Sequence, residues 1–307
     1  MESRQLGKTG LRVSRLGIGL AEMGGIAIPD GVDEAGRLLN AALDGGINFL
    51  DTAECYDNSE QLIGETVAHR RDEYVLATKC GHLAGGASGQ HWTAATVEES
   101  IDRSLRRLKT DHLDLVQLHS CDLEVLERGE VIDALLKAKE AGKTRFAGYS
   151  GDNEAGVWAV ESGLFDTLQT SLSVVDQSSR VRLLKPAAAK GMGVIIKRPI
   201  GNVIWGAEQS TPTAPPEYTA PPEYLVRARA MARPGPIAGA QSDPVPLSLG
   251  FVFAHPEVDT AIVGTRNLSH LRSNIEMVER GVSLPPETVE AFHHRFDEVG
   301  ADWPGRS

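Results

Sequence analysis

Short runs of β-branched and apolar residues alternate along this chain with longer stretches whose apolar positions recur every three or four residues. The short runs predict strands at residues 16–19, 48–51, 74–79, 113–119, 145–150, 167–172, 194–199 and 260–264. The longer stretches predict helices at 33–43, 59–69, 93–108, 126–141, 154–161 and 181–190, with Gly142 and Gly191 as stops and a closing helix over 287–299. Ahead of them, arms at 4–6 and 11–14 around Lys8, Thr9 and Gly10 predict a β-hairpin. Strands that alternate with helices make an α/β chain, and eight of them suit a (β/α)8 TIM barrel spanning residues 1–307 as a single domain. No GxGxxG follows the first strand, so an open doubly wound sheet fits less well. Residues 202–246 break the rhythm: they are rich in proline, carry the near-duplicate hexads 214–219 and 220–225, and form an insertion after strand seven. Proline at this density is expected to prevent helix interior and sheet pairing there, leaving a flap over the barrel mouth.

The barrel reading gives four residues a common address. Asp51, Lys79 and His119 each close a predicted strand, and Tyr56 lies just beyond the second. Active sites of such barrels form where strands end, so the four are expected to converge on one mouth. A phenol titrates near ~10, so Tyr56 can protonate a carbonyl oxygen at neutral pH if its phenolate is stabilised. The Lys79 ammonium is expected to do this and to lower the phenol's pKa, Asp51 to supply its counter-charge, and His119 to hydrogen-bond the same carbonyl. Together they describe a site that reduces a carbonyl or oxidises an alcohol.

Composition narrows the setting. The chain has 307 residues, 41% hydrophobic and 24% charged, and no run approaches the roughly 18 apolar residues of a membrane span. Three cysteines without CxxC spacing fit a reducing, cytoplasmic compartment. A net charge of −11 argues against nucleic acid or an anionic membrane as partner and leaves a small molecule.

The segments SRQLGKTGLRVSRLGIG, LDTAECYDNSEQLIGE, LATKCG, DLVQLHS, AGYSGDN and AIVGTRNLSHLRSNIE occur in this order, and on them the chain resembles the aldo-keto reductases. That resemblance implies an NAD(P)H-dependent barrel enzyme in which Tyr56 is the general acid in reduction and the base in oxidation. Lys79 and Asp51 would tune it, and His119 would position the carbonyl. It also implies cofactor contacts from Gly19, Asp51, Ser150 and Gln169. Gly151 stands where the family has Asn, and Lys197 stands where a Tyr stacks on the nicotinamide. Arg198, Pro199, Ile200 and Gly201 continue that contact segment. Gly264, Thr265, Arg266, His270 and Asn274 fall on the adenosine-phosphate segment, where Arg266 at a helix start favours NADP(H) over NAD(H).

Loops after the strands carry the expected substrate pocket: Met23, Trp92 and Trp205 beside Tyr56 and His119. Cys55, Cys80 and Cys121 fall on the same rim, where thiol oxidation could tune activity, although alternation points Cys80 away from Lys79. Two other classes compete with the enzyme reading. One is an NADP(H)-binding regulatory or redox-sensing subunit on the same barrel. The other is a metal-dependent hydrolase using His82, His119 and Asp122, for which neither an HxH nor an HExxH pattern is present; no metal is expected.

Overall fold

The computed structural model describes residues 1–84, 89–205 and 221–306. Strands β1 (Ser3–Gln5) and β2 (Arg12–Ser14) pair as an antiparallel hairpin. The barrel strands are β3 (Leu16–Gly19), β4 (Phe49–Asp51), β5 (Val75–Cys80), β6 (Leu113–His119), β7 (Thr144–Ser150), β8 (Thr167–Ser171), β9 (Gly193–Lys197) and β10 (Thr260–Gly264). All eight pair in parallel and close in the order β10, β3, β4, β5, β6, β7, β8, β9. This is the expected (β/α)8 barrel with its hairpin.

Alternation along the strands sorts side chains between two cores. Phe49, Val75, Ala77, Leu115, Ile195 and Ile262 point inward and form one cluster with Leu6, Leu11 and Val13 of the hairpin, which therefore closes the end where the strands begin. Leu50, Leu76, Cys80, Val116 and Ile196 point outward and pack under the helices. Continuing the inward face two residues at a time reaches Asp51, Lys79, Gln117, His119, Ser150, Gln169 and Lys197 near the opposite end. One face of each strand thus supplies both the apolar floor and the polar mouth.

Helices α1 (Val32–Asp44), α2 (Ser59–Thr66) and α3 (Ala94–Leu108) wrap the first strands. Thr93 caps α3 by accepting a hydrogen bond from Thr96 N at 3.2 Å. The helix expected over 126–141 is two: α4 (Leu123–Arg128) and α5 (Glu130–Glu140), parted at Gly129, whose φ of 76° no continuing helix adopts. Next come α6 (Asn153–Ser162) and α7 (Lys185–Ala189), the latter preceded by a π turn, Arg180–Leu184.

The proline-rich stretch also departs from expectation. Residues 221–246 contain α8 (Pro222–Ala232) and the start of α9 (Pro244–Phe253). Proline sits in the first turn of each, where its missing N–H has no partner to lose, so it opens the helix instead of forbidding it. The hexad 214–219 lies outside the described residues, as do Gly85 and Gly86 of the third loop. Helices α10 (Leu268–Arg280) and α11 (Pro286–Val299) complete the shell, α11 being the expected closing helix. No helix among the described residues is long and apolar enough to cross a membrane.

Candidate active site

Adjacent strands bring the predicted residues into register at the mouth. Gly264 pairs with Gly19 and Gly19 with Asp51, while His119 pairs with Ser150 and Ser150 with Gln169. Between these rows lies a cavity of about 1310 Å³. Asp51, Tyr56, His119, Ser150, Gln169 and Lys197 line its inner part. Arg198, Pro199 and Ile200 form one side, and Gly264, Thr265, Arg266, His270 and Asn274 form the far end. Where β3 and β10 meet, Gly19 and Gly264 leave bare backbone facing the cavity.

Lys79 lies buried under Tyr56. Its Nζ donates to Asp51 Oδ2 at 2.6 Å and to the Thr52 carbonyl at 2.9 Å. The pair is 1% and 3% exposed, so losing either partner would leave an uncompensated interior charge, at a cost of about 3–5 kcal/mol. The other Asp51 oxygen accepts from Gln169 Nε2 at 2.7 Å and Gln117 Nε2 at 3.5 Å. Burial pulls Lys79 down, but Asp51, helped by Tyr56 and Cys55, outweighs it, and the ammonium is held above its ordinary pKa.

Tyr56 departs from expectation in one respect. Lys79 Nζ lies 5.1 Å from the Tyr56 ring centroid and meets its π face, while no described residue hydrogen-bonds the hydroxyl. Burial raises the phenol pKa and Lys79 lowers it; burial wins, so the phenol stands above its ordinary value instead of below. The ammonium limits the rise without reversing it. His119 is pushed well below its ordinary value, first by burial and then by Lys79, His82 and the cations at 197 and 198, so its imidazole is neutral. Its ring meets Tyr56 edge-on at 5.6 Å between centroids, and its Nδ1 lies 3.3 Å from Cys55 Sγ.

Two residues without a role in the sequence, Asp152 and Gln117, matter here. Lys197 is buried, and its ammonium lies 3.0 Å from Asp152 Oδ2. Burial still leaves it below its ordinary pKa, with Asp152 opposing. The second is Gln117, which the alternation in DLVQLH places under His119. Asp152 stood in the SGDN motif without an assigned role, because only the fold brings β7 and β9 loops together. A side chain at Gly151 would meet the Tyr149 hydroxyl at 2.4 Å, which explains the missing Asn at that position.

Several expected residues stand apart from the cavity. Met23 is buried in the helix-side core. Trp92 packs on Gly81 and the His82 ring, and Trp205 meets Phe292 edge-on at 5.3 Å. Gly201 does not line the cavity, and a side chain there would meet Ser173 and Val175 at 3.3 Å. Cys80 and Cys121 are buried, and burial raises all three thiols, Cys55 to about 11 and Cys121 to about 12. None has the low pKa of a reactive thiolate. Among the described residues no three His, Cys, Asp or Glu side chains group to hold a metal ion.

At the far end, Asn267 caps α10 by accepting from Ser269 N at 2.8 Å and His270 N at 3.4 Å. Those two amides therefore already have a partner. Arg266 Nη2 lies 3.4 Å from Glu34 Oε1 at the surface, and its charge also lowers the pKa of Glu22, which burial raises.

A model of the aldo/keto reductase family matches residues 15–294. L-galactose dehydrogenase of Arabidopsis thaliana is 31% identical over 322 aligned residues, covering 99% of this chain and 97% of that protein. Pyridoxal 4-dehydrogenase of Microbacterium luteolum is 28% identical, covering 93% and 95%. The holo form of aldo-keto reductase AKR11C1 from Bacillus halodurans superposes with a TM-score of 0.80 at 25% identity, covering 96% of each chain. With the match running through nearly every strand that builds the mouth, the chain belongs to the aldo/keto reductase family, oxidoreductases that use nicotinamide cofactors.

Proposed function

We propose that this protein reduces an aldehyde or ketone to an alcohol, or runs the reverse reaction, with Tyr56 as the proton-transferring group and NADP(H) preferred over NAD(H). The observation that carries this reading is the stack of Asp51, Lys79 and Tyr56 beside His119, with Asp51, Tyr56 and His119 lining a cavity of about 1310 Å³. The residues suit such a guest: Ser150 and Gln169 offer amide and hydroxyl contacts, the glycine pair leaves room, and Lys197, Arg198 and Arg266 offset phosphate charge. A bound reduced nicotinamide supplies the hydride. The chain's own part is to meet the charge that then develops on the carbonyl oxygen.

Tyr56 keeps its proton at neutral pH because its pKa stands above the ordinary phenol value. That proton still moves readily to an alkoxide, whose conjugate acid is about as weak as water, ~15.7. Lys79 then faces the phenolate left behind, and Asp51 keeps the ammonium charged and in place. Neutral His119 adds a second donor to the same oxygen. Asp152 supplies Lys197 with a counter-charge, so its ammonium opposes an oxidised, cationic ring less than a lone one.

Replacing the phenol tests the reading. With a panel of aldehydes reduced by NADPH or NADH, and with L-galactose and pyridoxal oxidised by NADP+ or NAD+, Tyr56→Phe is expected to lose about 10²- to 10⁴-fold in kcat. Cofactor affinity, followed by fluorescence titration, is expected to persist. Full turnover in the variant contradicts the mechanism, and no turnover in either protein with intact cofactor binding points to a regulatory subunit.

A further inference from the structure

We infer that Cys55 is a positioning residue: its thiol donates to His119 Nδ1 and so keeps the imidazole proton on Nε2, the nitrogen left for a ligand in the cavity. The geometry comes first. Cys55 Sγ and His119 Nδ1 are 3.3 Å apart, within reach of a sulfur hydrogen bond. Among the described residues Nε2 has no partner, and His119 lines the cavity with Tyr56. A neutral imidazole carries one proton, so whichever nitrogen accepts from Cys55 leaves the other to donate.

Chemistry decides the direction. Thioether and thiol sulfur accept hydrogen bonds poorly, whereas a ring nitrogen lone pair is a good acceptor, and no other described acceptor serves the Cys55 S–H. An ion pair between thiolate and imidazolium is disfavoured from both sides, since burial raises the thiol to about 11 and holds His119 well below its ordinary value. His82 supports the arrangement from behind. Its Nε2 lies 2.9 Å from the His119 carbonyl oxygen, which can only accept, so His82 donates and fixes the backbone on which the His119 ring stands.

The consequence for catalysis rests on the carbonyl-reductase reading, in which His119 must donate; the tautomer itself does not. In the 15N-histidine-labelled protein, long-range proton–nitrogen spectra are expected to show a pyrrole-type Nε2 and a pyridine-type Nδ1 at His119. Cys55→Ala should give a mixture of tautomers and a kcat/KM lower by about tenfold, the scale of one weakened hydrogen bond at a reacting oxygen. Cys55→Ser, whose hydroxyl also donates, should restore both. A proton on Nδ1 in the unaltered protein overturns the inference, as does an Nε2–H tautomer that persists unmixed in Cys55→Ala. A tautomer that shifts while kcat/KM stays level upholds the positioning role and removes His119 from the proposed chemistry instead.

Discussion

Lys79 acts on two neighbours in opposite senses. It favours the phenolate of Tyr56 and disfavours the imidazolium of His119, and Asp51 at 2.6 Å secures its charge for both tasks. His119 has a depressed folded-state pKa, so its neutral form is favoured: the unfolded chain takes a proton near 6.5 that the folded chain refuses. Its contribution to stability is therefore complete above about 6.5 and declines as the pH falls toward the folded value. The expected outcome is a His119 ring signal that does not titrate between pH 8 and 6, with no fall in kcat/KM of reduction from this group over that range. A midpoint near 6.5 for this ring contradicts the burial argument. The four candidate residues were legible because strand ends and inward alternation can be counted. The sign of the Tyr56 shift was not, because the depth of burial that outweighs Lys79 depends on the surrounding loops.

At the scale of elements, the C-terminal segment straps the loops after β7, β8 and β9. Asn153 exchanges two hydrogen bonds with Gly305, its Nδ2 donating at 2.9 Å and its Oδ1 accepting at 2.7 Å. The Arg306 carbonyl accepts from Arg198 Nη1 at 2.7 Å and Ser171 Oγ at 3.0 Å, and Arg306 also pairs with Glu223 of α8. Trp303 packs edge-on against Phe296 and under Arg227. The strap thus holds Arg198, a residue of the cavity wall in a left-handed conformation at φ 55°. A chain ending at Asp302 is expected to keep its barrel circular dichroism but bind cofactor about tenfold more weakly, the scale of one lost hydrogen bond to a charged group. Unchanged affinity would show that Arg198 holds its place without the tail. Sequence periodicity recovered strands and amphipathic helices but could not foresee this docking, which joins the tail to residues between 76 and 152 positions away at Asn153, Ser171, Arg198, Glu223 and Arg227. It also ran the helix over 126–141 through Gly129, where a single backbone angle divides it.

Over the whole molecule, a net charge of −11 opposes the approach of an anionic dinucleotide, so attraction must come from cations gathered at the mouth. Lys197, Arg198 and Arg266 line the cavity and are the cations proposed to supply it. Lys197 pairs with Asp152, Arg198 donates to the tail, and Arg266 pairs with Glu34. Arg266→Ala is expected to weaken NADP(H) about tenfold and NAD(H) little, as a lost charge-assisted phosphate contact of ~1.5–3 kcal/mol would. Equal weakening of both, measured by titration at fixed ionic strength, would assign Arg266 to the shared pyrophosphate and remove the basis for NADP(H) preference. The sequence by itself determined the eight-strand barrel, the hairpin and the convergence of Asp51, Tyr56, Lys79 and His119. These depend on local periodicity and on strand ends sharing one rim. The tertiary structure alone decided the rest: the Asp152 partner of Lys197, the Cys55 contact of His119 and the exclusion of Met23, Trp92 and Trp205 from the cavity. Each depends on loops from separate strands meeting in space, and on the desolvation that follows, which no spacing along the chain records.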